Sequence, residues 1–169
     1  MSISDVSGFG LKCAILSTAT FPYGFSISKF PDDVDPIVIS ELTVRKLQML
    51  LDGKMLSYQT ANPVEVAISV IPGSPDDINL GIILSASQVK DQLIPLPDTV
   101  IMTITYPDGS TSVLADGTML SGPAAKSVMA SGRMKTSTYK FAFGASATVG
   151  NGLLSSATSL FAAGANILG

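Results

Sequence analysis

The chain has 169 residues, enough for one domain with a substantial core or one domain plus an extension. It is 46% hydrophobic but only 14% charged, against about 25% charged in an average soluble domain, so part of its surface is expected to be covered by other molecules. A net charge of −3 with scattered Lys and Arg excludes an electrostatic nucleic-acid binder, and the absence of histidine excludes His-based triads, His general bases and the commonest metal ligand.

Residues 11–17 form a short apolar run that predicts a strand. Cys13 within it is the only cysteine, so no intramolecular disulfide is possible. The residues before it carry neither a basic stretch nor a long apolar run, so no secretory leader is expected there. Phe21, Pro22, Tyr23 and Gly24 predict a turn, and Phe25 and Ile27 alternate in a strand with one buried face. Asp32, Asp33 and Asp35 stand between Pro31 and Pro36 and read as a solvated turn; the spacing lacks the Gly and distal Glu of a calcium loop.

Residues 37–39 are β-prone. Residues 42–51 fit a strand through Leu42 and Val44 and a helix through Leu47, Leu50 and Leu51; the Asp52-Gly53 turn that follows favours a hairpin, with residues 54–60 returning. Asn62-Pro63 breaks the chain. Val64, Val66, Ile68 and Val70 then alternate in the clearest strand of the protein. A helix follows. Ser74 is a fitting N-cap, Pro75 suits the first helical position, and Asp77 stands where a capping box places its acid. Asp76 and Asp77 also favour the positive end of the helix dipole, so this acidic pair needs no catalytic explanation. Ile78, Ile82, Ala86 and Val89, with Leu80, Ile83 and Leu84 beside them, make a wide apolar stripe that predicts a mostly buried helix ending near Lys90.

Residues 99–106 are β-branched and predict a strand, with a hairpin turn at Pro107-Asp108-Gly109-Ser110 and a return over 111–115. Asp116-Gly117 predicts a second turn before 118–121. Tyr139, Phe141 and Phe143 alternate in a late strand over 138–143. Lys140 is the last charged residue; Gly144 and Gly150-Asn151-Gly152 read as a joint, and residues 145–169 form an uncharged Gly/Ala/Ser-rich extension after a β domain of 1–144. Within the extension Leu153, Leu154, Leu160, Phe161, Ile167 and Leu168 form a candidate interface, possible as a short helix that docks on a neighbour or on its own domain. The run is too short and too rich in hydroxyls to be expected to cross a membrane.

The stretch NPVEVAISVIPGSPDDINLGIILSASQVK, residues 62–90, resembles the strand, turn and capped helix of tail tube proteins of contractile-tailed bacteriophages and related injection machines. Residues 99–122 look like their next hairpin and SGRMKTSTYKFAFG like their closing strand, and the opening 4–36 is similar to small phage virion proteins. The resemblance spans residues 1–144; the tail from Ala145 departs from it. It implies a mainly β fold with one flanking helix, a tail-tube-like β-sandwich or barrel, in a tube, tube-initiator or baseplate and collar ring protein. It further implies copies of the chain joined through edge strands into a ring, most often hexameric, beside tube, sheath or baseplate subunits. Genomic DNA would pass the lumen without specific binding, and a mildly acidic surface suits that passage. Catalytic residues, a metal, a cofactor and a membrane are not expected. The location expected is the virion tail, with assembly in the host cytoplasm. The alternative is a β-sandwich receptor- or glycan-binding module of the tail tip, whose sugar face would be Phe21, Tyr23, Phe25 and Phe30, although alternating aromatics are more often core.

Overall fold

A computed structural model describes residues 10–88 and 98–149. The β-branched runs form nine strands among these residues: β1 (Lys12–Ser17), β2 (Phe21–Ile27), β3 (Ile37–Ile39), β4 (Arg45–Met49), β5 (Met55–Gln59), β6 (Val64–Val70), β7 (Val100–Thr105), β8 (Thr111–Ser121) and β9 (Ser137–Val149). One helix, α1 (Pro75–Ser87), follows β6. Seven strands make one antiparallel sheet in the order β2-β1-β7-β8-β9-β6-β3, and β4 and β5 pair only with each other. The protein is therefore mainly β with a single flanking helix among the described residues.

The core follows from period-two alternation. Val64, Val66, Ile68 and Val70 of β6, Tyr139, Phe141 and Phe143 of β9, and Val100, Met102 and Ile104 of β7 all point inward, joined by Cys13, Ile15, Ile27, Leu114 and Met119. From α1 only Leu80 and Ile83 enter this cluster as fully buried side chains. A helix of 13 residues is about 20 Å long and roughly 10 Å wide, and strands lie about 4.8 Å apart, so α1 covers only part of such a sheet. The rest of the cluster is made by strand residues packing on one another. Register shifts supply bends between β1 and β2, β7 and β8, and β8 and β9.

Several local expectations are corrected. Residues 21–24 are the start of β2 rather than a turn; the ladder passes from Ile15↔Phe25 to Ser17↔Phe21, so extra residues bulge at Gly24, whose φ is +71°. Asp116-Gly117 is likewise no hairpin turn. Strand β8 continues through it, and the ladder with β7 shifts between Met102↔Leu114 and Val100↔Gly117, with Asp116 at φ 54°. An Asp-Gly pair supplies the left-handed residue a bulge needs as readily as a turn does. The late strand does not stop at Gly144: β9 runs to Val149 and pairs with β8 from Lys140 to Val149, so residues 145–149, expected as the beginning of the extension, are strand. The helix ends at Ser87, capped by Gln88, instead of near Lys90. It is also not mostly buried, because Ile78 and Ile82 face outward at 58% and 45% exposure.

Candidate assembly surfaces

The acidic pair at the head of α1 is structural. The Ser74 hydroxyl accepts from the Asp77 N–H at 3.2 Å, while an Asp77 carboxylate oxygen accepts from the Gly73 N–H at 2.9 Å. The reciprocal bond thus lands one residue earlier than in a simple capping box, and the Ser74 N–H turns instead to the Ile71 carbonyl. Asp76 is buried and its Oδ2 accepts from both the Ser28 and Lys29 N–H groups, each at 2.9 Å. The Tyr139 hydroxyl donates to Asp77 Oδ1 at 2.8 Å. Burial first, and the Asp77 carboxylate next, push the Tyr139 phenol well above its ordinary pKa. Each carboxylate thus accepts two hydrogen bonds, and together they fasten the helix start to the end of β2 and to β9.

Two of the three aspartates before β3, Asp32 and Asp33, are also bonded. Arg133 donates to Asp32 at 3.2 Å, which holds that carboxyl below its usual range, and the Thr136 hydroxyl donates to Asp33 at 2.8 Å. These bonds tie the loop to the 127–135 hairpin. Among the described residues no group of three His, Cys, Asp or Glu could hold a metal ion. The aromatic quartet does not form one face. Phe21 and Phe25 pack edge to face at 4.9 Å and, with Phe30, rest on the core, while Tyr23 alone is fully exposed.

What stands out instead is the β4–β5 hairpin. Its turn closes with the Gly53 N–H donating to Leu50 and the Leu50 N–H donating to Lys54, Gly53 taking φ +80°. Opposed residues share a face, so one face carries Leu47, Met49 and Met55 and the other Leu56 and Tyr58. Every residue of both strands is exposed. Leu42 and Val44 lead into the hairpin exposed, and Leu51 stands fully in solvent at its tip. The arm grows out of the β3–β6 ladder: Ser40 and Glu65 bond at its root, then Thr60 and Val44, and Asn62-Pro63 interrupts pairing between the two. Sequence reading found the hairpin but not its exposure. The available signal was apolar residues on both faces of two short strands, bounded by breaks at each end.

Leu153, Leu154, Leu160, Phe161, Ile167 and Leu168 lie outside the described residues. Among the described residues no helix is long and apolar enough to cross a membrane.

A mainly β domain with hydrogen-bonded carboxylates at its helix start, and an apolar arm left uncovered by the other described residues, has the character of an assembling part. Comparison with known families agrees: residues 4–147 match the family described as tail fiber protein gp32. The chain belongs to that family. It is a protein of the phage tail and baseplate type. Its fold is similar to that of a chain in the 6-fold symmetrised cryo-EM structure of the anti-feeding prophage (AFP) baseplate, with a TM-score of 0.52 and 13% sequence identity, covering 89% of this chain and 98% of that one. No curated protein matches.

Proposed function

We propose that the chain is a non-enzymatic structural subunit of a contractile phage tail, which forms a ring through subunit-to-subunit sheet pairing around or beside the tube near the baseplate. The observation that carries this reading is the β4–β5 arm, with apolar side chains on both faces and no cover from the other described residues. Exposed apolar surface of this kind marks a site of association. Family membership and the baseplate-like fold support the location, and 6-fold symmetry in that baseplate supports a hexamer. Tube, sheath or baseplate subunits are the expected neighbours. DNA would pass the lumen without specific contacts, as suits an acidic chain. Residues 1–144 with the remainder of β9 act as the ring-forming domain. The rest of the 145–169 extension adds a contact through Leu153, Leu154, Leu160, Phe161, Ile167 and Leu168. Assembly takes place in the host cytoplasm before incorporation into the virion.

Sedimentation over a range of concentrations, with negative-stain imaging, tests the reading. A ring of defined order supports it; a chain that stays monomeric at every concentration, alone and with other tail proteins, overturns it.

A further inference from the structure

The arm leaves a vacancy in the sheet. β6 pairs with β9 from Val70↔Ser137 to Val64↔Phe143, and there the ladder ends. β9 continues for six more residues, 144–149, whose ladder with β8 is retained while their other edge has no strand on it among the described residues. Five of the six are exposed. They carry no charge and no proline, the devices that normally guard an edge strand. In the same copy β5 continues β6 past this point, but Asn62-Pro63 diverts it, and no ladder joins β5 to β9.

We infer that the vacant edge of β9 at 144–149 receives β5 (Met55–Gln59) from the arm of a second copy. This deepens, and rests on, the reading of the chain as a self-assembling ring subunit. Three features fit. First, the lengths agree, since β5 has five residues and the vacant edge six. Second, no charge and no proline on the receiving edge opposes the pairing. Third, the area suffices. The exposed apolar residues of residues 42–58 present on the order of 1,000 Å², above the roughly 300–600 Å² of a monomer's largest patch and similar to the roughly 800 Å² per partner of a stable interface. An arm that vacates its own sheet and fills the next copy's makes a head-to-tail contact, the kind that closes into a ring.

Cysteine pairing tests the inference on the full-length chain. Ser57→Cys and Ala147→Cys sit at the centres of the two edges, and opposed residues of paired strands lie within disulfide reach. Native Cys13 is buried and does not compete. The double variant is expected to give a ladder of covalent multimers on mild oxidation, and a mixture of the two single variants is expected to give covalent dimers. A cross-linked monomer with no dimer from the mixture overturns the inference, because the arm then folds onto its own edge. Rings without cross-links, with Leu47→Cys and Gln48→Cys equally silent against Ala147→Cys, overturn the edge assignment and leave the ring reading standing. A strictly monomeric chain overturns both.

Discussion

Gly117→Ala is the sharpest test of the packing described. Gly117 lies opposite Phe143 across the β8–β9 ladder, and the phenyl ring lies over it in the space a side chain would take. A Cβ at residue 117 would stand 2.3 Å from two ring carbons of Phe143 and 2.8 Å from the Val100 carbonyl oxygen. Phe143 is completely buried and stacks on Phe141 with ring centroids 6.1 Å apart, so the ring has no free volume to enter. The carbonyl oxygen is backbone and is equally fixed. Overpacking of this kind costs about 1–3 kcal/mol, and two rigid obstacles place Gly117→Ala near the upper end. For a chain of this size that is a fall in Tm of roughly 6–12 °C. Thermal and urea unfolding followed by circular dichroism measures it. Gly144→Ala is the control, since its new methyl would meet nothing closer than 3.7 Å. Combining Gly117→Ala with Phe143→Leu should recover part of the loss, giving a non-additive double-mutant cycle. A Gly117→Ala protein within about 0.5 kcal/mol of the parent would show that Phe143 does not lie across this glycine.

Asp76→Ala leaves the Ser28 and Lys29 N–H groups without their acceptor and is expected to cost about 2–4 kcal/mol, more than the roughly 1 kcal/mol of Ser74→Ala at the cap; denaturant titration ranks the two, and the reverse order would refute the fastening role. Stability should also fall at alkaline pH because of Cys13, whose burial pushes its thiol from about 9 up to about 12. As pH rises through this window the unfolded chain releases a proton that the folded chain keeps, so stability is full below about 9 and declines above it, by up to about 4 kcal/mol. Cys13→Ala should flatten that decline in urea titrations, leaving only the part due to Tyr139, and equal slopes in the two proteins would count against it. Leu47→Asp on the arm should leave the monomer's unfolding free energy within about 0.5 kcal/mol, since the residue is exposed and outside the core, yet abolish self-association in sedimentation; loss of folding instead would mean that the arm packs on its own domain.

What the sequence by itself determined is what local physics controls. Alternation along β6 and the first half of β9 identified strands and their inward residues, because a pleated strand must sort its side chains by face, and β-branched residues identified β7. Ser74, Pro75 and Asp77 located the helix start, because unsatisfied N–H groups at that end demand an acceptor nearby. Tertiary structure decided the rest. Asp116-Gly117 carries the same local signal whether it turns a hairpin or bulges a strand, and only the partner strands on either side made it a bulge. Gly144 and the small residues after it have no strand signal of their own; β8 holds them extended by pairing with them. Ile78 and Ile82 lie on the side of α1 turned away from the core, so they remain outside although they are as apolar as Leu80 and Ile83. The arm is the plainest case. Leu47, Met49, Leu56 and Tyr58 are as apolar as any core residue, and burial is a property of what lies opposite. Among the described residues nothing does, and that is the physical reason the sheet edge and the arm read as parts that another copy completes.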